Sequence, residues 1–154
     1  MLSPDERREI DAELANYEFR EAAGIEALKV VQRHRGWVTD EALADLEPVL
    51  GLSAAELDAV ATFYDKIYRK PVGRHVIFVC SSISCWVMGY ENVRDYLLDR
   101  LGILLGQTTA DNRFTVLPTA CLGACDLAPV MLVDDDLHCN LTPPEVDAIL
   151  ARYE

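Results

Sequence analysis

The stretch HVIFVCSSISC, residues 75–85, decides the interpretation of this chain, because an apolar segment runs directly into a cysteine pair. Its β-branched and aromatic residues are typical of a buried strand. A second segment, FTVLPTACLGAC at 114–125, repeats this arrangement of a strand followed by two cysteines. The spacing places Cys80 at the end of the first strand and Cys121 at the end of the second. Strands of one sheet can bring their ends together, so we expect four sulfur atoms at one edge.

The spacing of these cysteines, C-x4-C followed by C-x3-C, indicates a metal centre. In a reducing compartment, cysteine pairs are more often metal ligands or redox centres than disulfides. Zinc sites favour tighter C-x2-C pairs, whereas the wider loops suit two irons with one pair for each, so a [2Fe–2S] cluster is favoured over zinc. A Rieske centre would need two histidines in these segments, and a dithiol oxidoreductase would need C-x-x-C. Neither is present in the sequence.

The segments around these strands complete an alternating pattern. A helix is predicted from Tyr90 to the stop at Gly102, a hairpin over 130–141 turning at Asp134–Asp136, and a last helix behind a Thr142–Glu145 capping box. Pro118 should bend or end the second strand. The resulting β-α-β-β-β-α order is that of a thioredoxin-like domain, which we place at residues 74–154.

The first 70 residues read as four helices with short links. Ser3 with Glu6, and Ser53 with Glu56, form capping boxes, and Thr39 opens a further helix. Apolar residues recur at helical spacing through Tyr17 in the first helix and Tyr64 in the last. The predicted fold is therefore α+β: a helical bundle over residues 1–70, followed by a thioredoxin-like α/β domain with a four-stranded mixed sheet.

Composition narrows the class of partner. The chain has 154 residues and a formal net charge of −12, which argues against nucleic acid and against direct binding to anionic lipid. No apolar run reaches the ~18 residues of a membrane span. The charged, amphipathic N-terminus resembles neither a secretory signal nor a transit peptide, so a cytoplasmic location is expected.

Four segments of the chain, one of which contains the second cysteine pair, resemble a known family. They are similar to the E-type, thioredoxin-like [2Fe–2S] ferredoxin subunit of bacterial NADH:quinone oxidoreductase, respiratory complex I. The segments are IEALKVVQRHRGWV (25–38), VATFYDKIYRKPVGRHVI (60–77), GQTTADNRFTVLPTACLGACD (106–126) and LTPPEV (141–146). Related subunits of NAD-dependent formate dehydrogenases and NAD-linked hydrogenases share the cysteines and are the alternative.

The resemblance implies that Cys80, Cys85, Cys121 and Cys125 ligate one [2Fe–2S] cluster and that no catalytic residue lies on this chain. It implies an oxidoreductase only as part of the complex. Expected partners are a larger NADH-binding subunit carrying FMN and further iron–sulfur subunits of the peripheral arm. The family's cluster lies near that flavin, off the main electron route. The chain would then sit at the cytoplasmic face of the inner membrane through its complex, without inserting itself.

The sequence also allows predictions for three single residues and for one basic segment. Cys139 alternates with Leu137 and Leu141, so it should be a buried, inert thiol. Pro129 precedes the hairpin, where thioredoxin-like folds often carry a cis-proline. Trp86 should either shield the cluster or act as a partly buried packing residue. The basic residues Lys66, Arg69, Lys70 and Arg74 are interpreted as a solvated linker rather than a docking patch.

Overall fold

The structure, a computed structural model, describes residues 1–153. The chain divides into two compact units, with the boundary between Pro71 and Val72. We call residues 1–71 the helical unit and the remainder the sheet unit. No helix in the described residues is both long and apolar enough to cross a membrane.

The helical unit contains four α-helices, three of which begin at the predicted caps Ser3, Thr39 and Ser53, and a short 3-10 helix at Arg20–Ala23. Ser3 and Glu6 cap each other reciprocally, with the Ser3 amide donating to the Glu6 carboxylate at 2.7 Å. Gly36 and Gly51 end two helices in the left-handed conformation, where glycine carries no Cβ penalty. The helices are α1 Pro4–Leu14, α2 Gly24–Arg35, α3 Asp40–Leu50 and α4 Ala54–Phe63.

Two predicted helical positions in this unit are wrong. Helix α1 ends at Leu14 and Tyr17 lies beyond it, exposed. Tyr64 is the extended residue that ends α4 and is also exposed. Apolar spacing predicts longer helices, but the chain leaves the helix before the last apolar residue in each case. The core itself is aliphatic and includes Leu28, Leu46 and Leu57.

A buried ion pair crosses the helical unit. Glu6 is only 2% exposed, and the Arg35 guanidinium donates to both of its carboxylate oxygens, at 2.6 and 2.9 Å. The hydrogen bond from Arg35 is the main cause that lowers the pKa of Glu6 to about 2. The Ser3 backbone adds to this effect, so one carboxylate both caps α1 and joins it to α2.

The sheet unit has the predicted four-stranded mixed sheet, in the order β2-β1-β3-β4. Strand β1 pairs in parallel with β2 and antiparallel with β3, which pairs antiparallel with β4. The elements are β1 His75–Cys80, α5 Ile83–Val87, α6 Tyr90–Leu101, β2 Phe114–Thr119, β3 Met131–Val133, β4 Asp136–His138 and α7 Pro143–Leu150. The fold-class prediction is confirmed.

The parallel pair positions the cysteine segments. Cys80 lies opposite Thr119, so the carboxyl ends of β1 and β2 finish side by side. The strand passes through Pro118, which pairs in register with Val79, and Cys121 comes two residues after its end. The expectation that Cys121 ends the strand is therefore wrong. Proline is tolerated here because β2 is an edge strand of the sheet.

The hairpin is shorter than predicted, which changes the surroundings of Cys139. Strand β4 ends at His138, and Asn140 has a left-handed φ of 52°, so the strand alternation stops. Leu137 is 43% exposed and Cys139 is half-buried, whereas Leu141 is buried. The predicted common buried face for these three residues is wrong. The Ala128–Pro129 peptide bond is cis, at the position singled out in the sequence.

The cap of the last helix also differs from its prediction. Thr142 is the residue before α7, with prolines following it, as expected. Its hydroxyl donates to the Glu145 carboxylate at 2.7 Å, and no side chain caps the helix backbone. The capping box expected at this position is therefore not formed, although the helix begins where it was predicted to begin.

Candidate metal centre

Two loops meet where β1 and β2 end. Residue Ser81, just after β1, donates from its backbone amide to the Thr119 carbonyl at 3.0 Å and from its hydroxyl to the same oxygen at 3.1 Å. The Cys80 sulfur lies 4.0 Å from the Ala120 carbonyl oxygen. The parallel pairing thus continues past the last strand residues and holds the two cysteine loops together.

The first cysteine pair is buried. Cys80 and Cys85 are each 1% exposed. Burial is the main cause that raises the pKa of Cys85 to about 11, with Cys80 adding to it and a hydrogen bond from the Val130 backbone opposing it. A thiolate at this position is costly unless a cation neutralises it.

A short helix begins inside the first cysteine pair. Helix α5 starts at Ile83 behind Ser82, so Cys85 is a helical residue. The sequence prediction placed a helix only after the pair, beginning at Tyr90. A signal was present in the sequence, because serine is a preferred residue immediately before a helix.

The second pair is exposed to solvent. Cys121 and Cys125 have their sulfur atoms 3.9 Å apart, and the Gly123 amide donates to the Cys121 sulfur at 3.3 Å. That amide, followed by Cys125, lowers the pKa of Cys121. Gly123 has a φ of 80°, a conformation that a side chain would disfavour. Gly123 is therefore a backbone donor that the Cys121 sulfur accepts from.

The two pairs lie close to each other. The Cys80 and Ser82 side chains both interact with the Cys121 sulfur, and the charge of Cys125 acts on Cys85. Within residues 1–153, no three His, Cys, Asp or Glu side chains are arranged around a single metal position. The donor set is instead two thiol pairs on adjoining loops. Four sulfur donors of this kind fit a [2Fe–2S] cluster, with one pair for each iron.

The surface that α5 contributes beside the first cysteine pair is apolar and contains no charged side chain. Residues 76–90 and 114–125 contain no Asp, Glu, Lys or Arg, although the chain has a net charge of −12. Helix α5 and the residue after it expose the apolar side chains Ile83, Trp86, Val87 and Met88. Trp86 is 55% exposed, so the expectation of a partly buried packing residue is wrong.

The basic segment before the sheet unit is partly structural. The Arg69 guanidinium donates to the Asp58 carboxylate at 2.7 Å and also to the Val38 carbonyl. It joins the end of the helical unit to the segment before α3 and to α4. Arg69 is therefore neither a solvated linker residue nor free for docking.

The match to a family model decides between the two metals considered. Residues 10–154 match the model of the thioredoxin-like [2Fe–2S] ferredoxins. The chain belongs to this family. Its cofactor is a [2Fe–2S] cluster, so the zinc alternative is excluded. The resemblance stated from the sequence is confirmed, as are the thioredoxin-like fold and the cofactor.

Relatives of this thioredoxin-like ferredoxin match along almost the whole chain. It is 50% identical over 153 residues to the E-type subunit of NADH-quinone oxidoreductase from Pseudomonas aeruginosa, covering 99% of this chain and 92% of the relative. The same subunit of Escherichia coli (strain K12) gives the same values. The subunit of Buchnera aphidicola subsp. Acyrthosiphon pisum is 40% identical, covering 99% of this chain and 94% of the relative.

Among solved structures, the ferredoxin resembles a chain of an NAD+-reducing [NiFe]-hydrogenase in the H2-reduced state. The TM-score is 0.73 and the sequence identity 28%, over 86% of this chain. This chain spans only 22% of the hydrogenase chain. The hydrogenase polypeptide thus contains a unit of this kind within a much longer sequence.

Proposed function

We propose that this chain is the electron-transfer subunit of the NADH-oxidising module of an NADH:quinone oxidoreductase, with Cys80, Cys85, Cys121 and Cys125 as the ligands of its cluster. The observation that carries the proposal is 50% identity over 99% of the chain to the E-type subunit of that complex from Pseudomonas aeruginosa. The meeting of both cysteine pairs at the ends of β1 and β2 supports the ligand assignment.

The residues of this chain fit the task of holding negative charge. A [2Fe–2S] cluster supplies one-electron redox chemistry when it is bound. The Gly123 amide donates to the Cys121 sulfur, and the Val130 backbone hydrogen-bonds to Cys85. Burial of Cys80 and Cys85 excludes water from one half of the site, whereas Cys121 and Cys125 remain at the surface. These backbone donors and this partial burial would set the reduction potential.

The chain carries out its reaction only as part of the complex. Its sequence contains no G-x-G-x-x-G behind a strand and no P-loop, so we assign no substrate or nucleotide site to it. NADH gives up a hydride, and a flavin is needed to divide the electron pair into single electrons. We therefore propose an FMN-bearing, NADH-binding subunit as the direct partner, together with further iron–sulfur subunits of a peripheral arm at the cytoplasmic face of the inner membrane.

A second candidate is the equivalent subunit of an NAD-linked hydrogenase or formate dehydrogenase. The similarity to the NAD+-reducing hydrogenase chain, with a TM-score of 0.73, favours this class as the alternative. The NADH:quinone oxidoreductase and the hydrogenase or formate dehydrogenase would share the proposed flavin-bearing electron donor. They would differ in the other subunits of the complex. Identification of the subunits that co-purify with the chain separates them.

Reduction of the purified chain by NADH tests the proposal. Dithionite should produce a one-electron [2Fe–2S] resonance in the isolated chain, and NADH alone should not. Addition of the flavin-bearing subunit should permit reduction by NADH. Two results would sink the proposal: reduction by NADH without a partner, or a purified chain that contains zinc and no iron.

A further inference from the structure

The two cysteine pairs differ in how easily a reagent reaches them. Cys121 and Cys125 are exposed, with their sulfur atoms 3.9 Å apart. Cys80 and Cys85 are each 1% exposed. The Gly123 amide points at the Cys121 sulfur from 3.3 Å, as it would to stabilise a thiolate. A thiol reagent in solution therefore meets the second pair first.

We propose that Cys121 and Cys125 form a reversible disulfide in chains that have not yet received their cluster, while Cys80 and Cys85 stay reduced, so that cluster loading is gated by the redox state of the second pair. The gate rests on the proposed ligand set. An S–S bond is about 2 Å long, so the two sulfur atoms must approach by only about 2 Å. Rotation of two exposed side chains in the turn around Gly123 can supply this movement.

The oxidant we name is a small-molecule disulfide such as oxidised glutathione. The Cys121 thiolate attacks one of its sulfur atoms, forms a mixed disulfide and releases one glutathione thiolate. The Cys125 thiolate then attacks the Cys121 sulfur and releases the second glutathione thiolate. Two protein thiols lose two electrons and two protons in total. One glutathione disulfide becomes two thiols, so atoms and electrons balance.

The consequence is a reversible block on assembly. The disulfide removes two of the four thiolate donors, both from the same proposed iron. Cys80 and Cys85 alone offer half of a site. A dithiol reductant restores all four donors, so loading would begin only where the thiol pool is reducing enough to open the exposed pair.

Peptide mass mapping of the full-length chain tests the modification. The cluster is removed with a chelator under reducing conditions, and the chain is incubated anaerobically with oxidised glutathione, quenched with an alkylating reagent and digested. We expect a Cys121–Cys125 link, with Cys80 and Cys85 recovered as alkylated thiols. A link that includes Cys80 or Cys85, or equal reaction of all five cysteines, would overturn the proposal.

Two variants sharpen this test. Cys125→Ser should accumulate a glutathione adduct at Cys121, because the thiol that resolves the mixed disulfide is missing. Cys139→Ser is the matched control and should form the Cys121–Cys125 link as the unchanged chain does. An absent adduct in Cys125→Ser, or loss of the link in Cys139→Ser, would count against the proposed pair.

Cobalt(II) binding tests the gate, because thiolate ligation gives this ion an intense charge-transfer absorption. The reduced chain should develop the band, the oxidised chain should lose most of it, and a phosphine reductant should restore it. A full cobalt band in the oxidised chain would show that the disulfide does not block metal binding, and would contradict the proposed gate even if the disulfide forms. Absence of iron from the purified protein would instead contradict the proposed function, whether or not the disulfide forms.

Discussion

In the helical unit, the buried carboxylate of Glu6 has its cation in the same unit, with Arg35 donating at 2.6 Å. In the sheet unit, Cys80 and Cys85 are as well buried as Glu6, but residues 76–90 supply no Lys or Arg. A buried acid with its own cation stabilises a fold, whereas burial without a cation raises the pKa of Cys85 to about 11, so a bound metal is needed to stabilise its thiolate. The difference indicates that the helical unit is complete in itself, whereas the sheet unit is built around a cofactor.

The largest effect should come from removing a buried ligand. Cys85→Ser should abolish the [2Fe–2S] absorption, because a hydroxyl buried at that position resists deprotonation even more than the thiol does. Cys125→Ser should leave an altered spectrum, since a solvated oxygen can substitute for sulfur. Visible absorption and iron content per chain measure both changes.

Cys139→Ser is the control for this pair of substitutions, because Cys139 is half-buried and lies outside both loops. It should retain the spectrum and the iron of the unchanged chain. An unchanged spectrum in Cys85→Ser would remove that residue from the ligand set and would break the comparison between the units.

The next largest effect should appear in the helical unit alone. Glu6→Gln should lower the free energy of unfolding of this unit by about 3 kcal/mol at pH 7, because the pKa of Glu6 falls from 4.5 to about 2 on folding. A lowered carboxyl pKa stabilises the folded state fully above pH ~4.5, and the contribution is lost as the pH falls towards 2. The variant should therefore lack this acid dependence.

The two tryptophans make the measurement specific to one unit. A Trp86→Phe background leaves Trp37 as the fluorescent reporter in the helical unit. Urea unfolding is then followed from pH 7 to pH 2. Glu9→Gln is the matched control, because its pairs with Arg33 and His34 are more exposed, and its effect should be smaller. Equal losses in the free energy of unfolding in the Glu6→Gln and Glu9→Gln variants would show that burial of Glu6 does not add to its stabilising effect.

A smaller effect concerns the apolar surface of α5. We expect this surface to contact the proposed flavin-bearing subunit, so Val87→Glu should weaken that association at least ~10-fold, or ~1.4 kcal/mol, by placing a charge in an apolar contact. Folding should not change, since Val87 is 69% exposed. Leu104→Glu, at a similarly exposed residue before β2, is the control. Titration calorimetry with the partner measures both, and equal weakening would remove α5 from the interface.

The smallest effect should lie at β4, the edge strand on the far side of the sheet from β2. The Tyr153 hydroxyl donates to the Asp136 carboxylate at 2.9 Å and lies 3.0 Å from His138 Nε2. Tyr153→Phe should cost about 1 kcal/mol in urea unfolding at pH 7, as one hydrogen-bonded group is lost. The exposed Tyr17→Phe should cost less. Cluster content should stay unchanged, because Tyr153, Asp136 and His138 lie outside both cysteine loops.

The pH dependence of this contact has the opposite sign to that of Glu6. Burial, followed by the hydrogen bond to Asp136, raises the pKa of Tyr153 to about 12. The raised value means that the contribution to stability is present below pH ~10 and is lost as the pH rises from 10 to 12. An alkaline titration of unfolding in which Tyr153→Phe matches the unchanged chain would contradict this.

The sequence predicts those parts of the molecule that local patterns determine. The caps at Ser3, Thr39 and Ser53 act within one helical turn, and the structure confirms each. The strand carrying Cys80 is confirmed too, because its apolar run is continuous.

The features that escape prediction depend on tertiary neighbours. The continuation of β2 through Pro118 depends on its being at the sheet edge, which no local pattern reveals. The exposure of Leu137 depends on where β4 ends, and that end follows from the short pairing with β3. The difference in burial between Cys85 and Cys125 likewise appears only when the two loops meet.

The parallel pairing of β1 with β2 also sets an order of events during synthesis. Cys80 and Cys121 are separated by about forty residues, including the crossover helix α6, so at ~5–20 residues per second the ribosome needs roughly 2–8 s to make the second loop after the first. Parallel pairs close late, because a long crossover must be ordered before they form. The proposed four-sulfur site therefore becomes complete only after β1 and β2 have paired. The helical unit emerges first, with mostly local contacts, and can already be folded by then.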